Sequence, residues 1–264
     1  MKNLNFKAAL AGLALSLSVM PAAQATIVLI KTSQGDFEVN LYDKTTPETV
    51  ANFLSYVESG EFETNIIHRS VSGFIIQSGG YKIREVEVTE DGETTTELQI
   101  KSVETNAPVI NEPVYSNVRG TIAMAKLGGD ENSATSGWFI NLADNSSNLD
   151  NQNGGFTVFG EVTGYGMETV DSIADLPIYN LGSPFSAAPL QDYTETDAEN
   201  EVSVTLDNFV KVESITVTDV NEDTAADLNP PLSTYEPSES SGGSFGFGLL
   251  AVLLSLFGLR KLKR

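Results

Sequence analysis

Two short apolar runs, residues 66–69 and 74–78, meet at Ser72-Gly73 and are closed off by Gly79-Gly80. Short β-rich runs bounded by turn residues read as paired strands. This ties the chain to a sheet-based fold. The stretch also carries the only histidine, His68, and one of the nine cations outside the two termini, Arg69. An arginine stays protonated in proteins and offers a rigid fork of donors. Beside Phe74, Ile75 and Gln77 it would place one fixed donor over a partly apolar groove. That suits polarising a neutral group, such as a peptide carbonyl or amide nitrogen. Taken alone, the stretch reads as a buried strand whose Arg pairs with a surface acid; the rest of the chain shifts that balance.

At 264 residues and 41% apolar, the chain fits one ordinary domain or two small ones. Its formal charge is −21, and Lys2, Lys7, Arg260, Lys261, Lys263 and Arg264 hold six of its fifteen cations. The body between them sets nine cations against 36 acids, a net of −27. Such a surface repels nucleic-acid phosphates and anionic lipid. Without cysteine there is no disulfide framework and no thiol nucleophile, and one histidine does not make a zinc site. Neither a metal nor a cofactor is expected.

The two ends read as addresses. Residues 1–25 combine Lys2 and Lys7, an apolar run over 8–19 and the ending Gln24-Ala25, the pattern of a secretory signal cut after Ala25. Residues 220–241 are acidic and rich in Pro and Ser, which predicts a flexible linker. In 242–264, Gly242-Gly243-Ser244 precedes an apolar helix-forming run and the basic Arg260-Lys261-Leu262-Lys263-Arg264. The tail resembles the GlyGly-type sorting signal of some Gram-negative bacteria, which implies a rhomboid-type protease cutting near the glycines. A single-span anchor is the plain alternative, its basic end held on the cytoplasmic side. Either way the body, residues 26–219, is expected outside the inner membrane, on the periplasmic side or at the cell surface, and as a monomer.

Within the body, residues 26–32 and 36–42 predict a hairpin about Gly35. Thr46-Pro47-Glu48 predicts a helix start with a capping hydroxyl; Val50, Phe53, Leu54 and Val57 give its apolar stripe, and Gly60 its left-handed end. Residues 82–104, strongly acidic around Glu90-Asp91-Gly92, predict a small surface hairpin flanked by Val86, Val88, Leu98 and Ile100. Strands follow over 120–125, 136–142 and 156–162, then a short helix marked by Met167, Val170 and Ile173. Residues 178–200 read as irregular, and 202–206 and 209–217 as closing strands. Short strands with few helices point to a closed or nearly closed sheet.

The order of these segments resembles the cyclophilins, the peptidyl-prolyl cis-trans isomerases, and most closely their bacterial periplasmic branch. Ile67-His68-Arg69 with Gly73-Phe74-Ile75-Ile76-Gln77-Ser78-Gly79-Gly80 is similar to the family's Phe-His-Arg…Gly-Phe-x-x-Gln-Gly-Gly segment. Gly120-Thr121-Ile122-Ala123-Met124-Ala125, Ala134-Thr135-Ser136-Gly137-Trp138-Phe139-Ile140, Leu149-Asp150 and Phe156-Thr157-Val158-Phe159-Gly160 match further motifs in the same order. The resemblance implies a closed eight-stranded β-barrel capped by two helices, with an outside groove for proline-containing peptides and unfolded exported proteins. It implies Arg69 as the principal catalytic residue, with Phe74 and Gln77. It places substrate-binding roles on Ile75, Ala125, Lys126, Phe139, Leu149 and Phe156. Three positions depart from the pattern. Gly137 stands where the family has a groove Gln, Ser72 where it has Pro, and Asn148 near its cyclosporin-binding Trp, so weak cyclosporin binding is expected.

The residue types suit this chemistry. Rotation about X–Pro crosses ~18–20 kcal/mol because the amide loses its resonance. The twisted nitrogen gains a lone pair, and a donor aimed there helps the twisted state more than either planar one. No nucleophile, acid or base is needed. Phe74, Ile75, Phe139, Leu149 and Phe156 would grip the proline ring, with Gln77 holding the substrate backbone and orienting Arg69. His68 is expected to be packed or backbone-bonded. Two functions remain: an exported isomerase assisting folding, or a catalytically weak surface module that uses the same groove to hold peptides.

Overall fold

The computed structural model describes residues 26–220 and 228–236. The expected signal (1–25) and apolar tail (242–264) lie outside the described residues. Among the described residues no helix is long and apolar enough to cross a membrane.

The chain runs β1 (Ile27–Thr32), β2 (Gly35–Leu41), α1 (Pro47–Glu58), β3 (Asn65–Ile66), β4 (Arg69–Val71) and β5 (Ile75–Ser78). A long hairpin follows, β6 (Tyr81–Glu90) and β7 (Glu93–Ser102), then β8 (Thr121–Met124), β9 (Trp138–Asn141), α2 (Ser146–Leu149), β10 (Val158–Val162) and α3 (Gly166–Ala174). Last come β11 (Ile178–Tyr179), β12 (Ala188–Pro189), α4 (Glu195–Glu199) and β13 (Lys211–Asp219). Eleven strands form one antiparallel sheet in the order β4-β5-β9-β8-β10-β2-β1-β13-β3-β6-β7.

The strand order begins at β4 and ends at β7, with the expected hairpin β6–β7 adding two strands beyond β3. β3 and β4 belong to one continuous run, split because Ile67 N–H donates to Val210 O at 2.9 Å while His68 N–H donates to Gln77 O at 3.1 Å. The run thus pairs with β13 on one side and with β5 on the other.

Alternation along the strands separates two faces. Ile76, Trp138, Ile140, Ile122 and Met124 join the main core, with Val28, Ile30, Phe37, Val39 and Phe159. Ile75, Phe139 and Ala123 point the other way and pack with Leu149, Phe156 and Val158. Helices α1 and α3 cover the main core through Val50, Phe53, Val170 and Ile173. The helix stripe is centred on Val50, Phe53 and Tyr56, leaving Leu54 and Val57 half-buried.

The helix cap differs from the expectation. The Thr46 hydroxyl donates backward to Tyr42 O at 3.2 Å. The orphan donors of the first turn go to Glu112, whose carboxylate accepts from Thr49 N–H (2.9 Å) and the Thr49 hydroxyl (2.7 Å). An acid at a helix N-terminus also opposes the helix dipole favourably. The acidic hairpin is longer than expected, ten residues per strand, turning at Asp91-Gly92 with φ of +53° and +84°. Two successive positive φ values match the twist of a two-residue turn, which suits Asp-Gly.

Residues 202–206 do not form the expected strand. Thr205 N–H donates to Asn208 Oδ1 at 2.9 Å and a single 3₁₀ turn, Leu206–Asn208, forms instead. A local side-chain acceptor competes with a ladder for the backbone donor. Residues 178–200, expected to be irregular, contribute β11, β12 and α4. With the hairpin base they build a third apolar cluster of Ile66, Ile83, Phe185, Leu190 and Phe209. The expected linker is also partly placed: Leu232 forms an antiparallel bridge with Tyr115.

Candidate active site

The sheet register lines up the groups singled out from the sequence. Arg69 pairs with Gln77, Gln77 with Phe139, and Phe139 with Ala123. Residues directly opposite on neighbouring strands share a face. One row therefore crosses β4, β5, β9 and β8, and Ile75 lies two residues along from Gln77 on that face.

Beside this row is a shallow, open hollow lined by Phe74, Ile75, Gln77, Ala125, Lys126, Phe139, Leu149 and Phe156. Phe139 and Phe156 meet edge to face, with centroids 5.8 Å apart at 73°. Phe74 is half-exposed at the rim, following the turn at Gly73, whose φ is +67°. All eight expected groove residues besides Arg69 thus line one hollow. Arg69 is not in the lining; it stands in the row next to Gln77.

Arg69 is half-exposed, yet its Nη1 is buried without a hydrogen-bond partner. Among the described residues no carboxylate lies within ion-pair distance of it. Burial pushes its guanidinium below the ordinary value. A buried, unpaired charged donor is costly unless a partner arrives. The strand is held from outside by Ser70 N–H donating to Ala187 O at 2.8 Å, so the irregular-looking segment 178–200 fixes the edge that carries Arg69.

His68 points away from the hollow. It is buried, edge-on to Tyr81 at 5.0 Å, and its pKa is pushed down to about 4 by burial and by the Arg69 charge. Trp138 is fully buried in the main core.

Lys126 lines the hollow but spends its donors on the chain itself. Its Nζ donates to Asn153 O at 2.8 Å and to Gly155 O, and it sits 4.8 Å over the Phe156 ring. Burial lowers its pKa to about 8. The ammonium therefore pins the loop that ends in Phe156. Gly137 is not in the lining itself; a Cβ there would meet the Cβ of Ala125, which is, at 3.2 Å.

Sequence reasoning missed the polar frame behind the apolar wall. Asp150, fully buried, accepts from the Ser116 hydroxyl (2.6 Å), Asn117 N–H (2.8 Å) and Asn117 Nδ2 (3.1 Å). Asn117 Nδ2 also donates to Phe156 O at 3.1 Å. Asn145 Nδ2 donates to Phe74 O and to Asn141 Oδ1, both at 2.8 Å. These bonds hold the segments carrying Leu149, Phe156 and Phe74. The one available signal was the Leu149-Asp150 pair; the asparagines carry no local pattern.

A family model described as cyclophilin type peptidyl-prolyl cis-trans isomerase/CLD matches residues 27–195. The chain is 38% identical over 172 residues to peptidyl-prolyl cis-trans isomerase A of Dickeya dadantii, covering 64% of this chain and 80% of that one. It is 38% identical over 160 residues to a peptidyl-prolyl cis-trans isomerase of Acinetobacter baylyi, covering 60% and 76%. A solved cyclophilin-type isomerase of Cryptosporidium parvum aligns with 74% of this chain and 98% of its own, at 20% identity and a TM-score of 0.49. The chain belongs to the cyclophilin-type peptidyl-prolyl cis-trans isomerases, and isomerisation of X–Pro bonds is the activity it carries.

Proposed function

We propose that the chain is an exported member of the family, of its periplasmic branch, that accelerates X–Pro rotation in proline-containing peptides and unfolded exported proteins. In this reading the proline ring sits in the hollow against Phe139, Leu149 and Phe156, while Phe74 and Ile75 close its side. Gln77 and the backbone around Ala125 hold the peptide. Arg69 donates to the imide nitrogen, or to the adjoining carbonyl, as the bond passes through its twisted geometry. A donor that strengthens only there lowers the barrier without tightening the ground states. The observation that carries the reading is the unpaired Arg69 Nη1 in register with Gln77 and Phe139 at the edge of an apolar hollow. Proline isomerisation of a blocked tetrapeptide, with Arg69→Ala as control, tests it.

Export, tethering by the tail and its removal by a rhomboid-type protease rest on residues 1–25 and 242–264 and remain part of the proposal, as does the monomeric state. Intact mass of the native product tests the two cuts, and gel filtration with light scattering tests the monomer.

A second reading, a peptide-binding module of low catalytic power, is favoured by Gly137, which stands where the family's pattern has a groove Gln. Peptide binding without rate acceleration would support it.

A further inference from the structure

We propose that the backbone edge at residues 114–116 is an extended-peptide subsite continuous with the groove, filled in cis by residues 228–234 and yielded to longer proline-containing polypeptides. The inference rests on the groove reading above and extends it.

The edge is already paired. Ser116 N–H donates to Pro231 O at 2.9 Å, Ser233 N–H donates to Val114 O at 2.9 Å, and Tyr115 bridges Leu232 in antiparallel register. These contacts use main-chain groups, so they select an extended strand rather than one side-chain sequence. Pro230 and Pro231 fall where no N–H is called for; Pro231 contributes only its carbonyl. The edge thus holds the class of peptide that the groove takes: an extended stretch rich in X–Pro bonds.

The edge is physically joined to the groove wall. Tyr115 and Leu228 both pack on the cluster containing Ile75, Phe139, Leu149 and Phe156. Asp150, next to Leu149, accepts from the Ser116 hydroxyl and from Thr234 N–H at 3.3 Å. Asn151 Nδ2 donates to Thr234 Oγ1 at 3.2 Å. A peptide on the edge therefore touches the turn that carries one side of the hollow.

The cis segment is also lightly held. No residue over 228–236 is buried, and Leu232 is 71% exposed. Tethering supplies an effective concentration on the order of millimolar. A tetrapeptide confined to the hollow does not compete for the edge, whereas a longer chain spanning hollow and edge displaces the segment.

The test uses the full chain and a variant in which residues 228–235 are replaced by Gly and Ser at constant length. Two probes are compared: a blocked tetrapeptide with one X–Pro bond, and an unstructured 16-residue peptide with one central X–Pro bond. The variant is expected to bind the 16-mer about three- to tenfold more tightly, with tetrapeptide kcat/KM unchanged. A synthetic peptide of sequence 228–236, added to the variant, should shift the Val114 and Ser116 amide resonances and compete with the 16-mer alone. Equal 16-mer affinity in both proteins, or no amide shift, overturns the subsite. Faster tetrapeptide turnover in the variant also overturns it, because the segment would then block the hollow itself. Absence of any isomerisation in the unaltered chain would sink the groove reading, while the amide shifts would still report on the edge.

Discussion

Replacing Asp150 by Ala removes the acceptor at the centre of the frame behind the groove. Four donors converge on this fully buried carboxylate: the Ser116 hydroxyl, Asn117 N–H, Asn117 Nδ2 and Thr234 N–H. A buried donor left without a partner costs about 1–3 kcal/mol. The Ser116 hydroxyl rotates, Asn117 Nδ2 keeps Phe156 O as acceptor, and Thr234 is exposed to water, so the low part of that range or less applies to three of the four. The expected loss is about 4 kcal/mol, a large share of the roughly 5–15 kcal/mol that stabilises a domain. Asp150→Asn keeps the volume but turns one end into a donor facing donors, and about half the loss is expected. Urea unfolding followed by the fluorescence of Trp138, the only tryptophan and fully buried, reads this out. With a slope of about 2 kcal/mol/M, the midpoint of Asp150→Ala should fall by about 2 M. A loss under about 1 kcal/mol at unchanged slope would refute the reasoning, because the bonds would then be contributing almost nothing net.

Restoring a groove donor by Gly137→Gln should raise tetrapeptide kcat/KM about fivefold, the worth of one hydrogen bond of about 1 kcal/mol; Ala125 need yield only a little from 3.2 Å, and an unchanged value would remove that role from the position. His68 is buried and neutral, with its pKa lowered from 6.5 to about 4. The unfolded state therefore binds the extra proton first, and stability is lost as pH falls from about 6.5 toward 4, by about 3 kcal/mol over that window. Chemical denaturation between pH 7 and 4 should show this loss in the natural chain and a flatter dependence in His68→Gln; equal slopes would contradict it. Lys126, with its pKa lowered to about 8, loses its charge over Phe156 as pH rises through that value. The kcat/KM for a neutral peptide should bend downward near pH 8 in the natural chain and not in Lys126→Arg; identical profiles would assign the bend elsewhere.

The strands around the groove were legible because each repeats a period of two between turn residues, and the segment over 74–78 needs nothing distant to declare itself. Arg69, Gln77 and Phe139 were legible as a set only through the cyclophilin resemblance; the register that aligns them is a property of three strands at once. What stayed hidden came from contacts far apart in sequence. Glu112 caps a helix that begins 65 residues earlier, and no pattern near Pro47 announces it. Ala187 holds the Arg69 strand from a segment with no strand signal of its own. Leu232 reads as linker by composition, yet it pairs with Tyr115 because that edge offers unpaired backbone groups. The local Thr205–Asn208 bond went the other way, undoing a strand that hydropathy alone suggested.

The central claim is that one guanidinium drives the rotation, and the rate for Arg69→Ala on a blocked proline tetrapeptide tests it most directly. Removing a donor that acts only in the twisted state should lower kcat/KM by about 10²–10³, with the Trp138 unfolding midpoint nearly unmoved. Retention of activity within about twofold of the natural chain, in a protein that is still folded, would contradict the account.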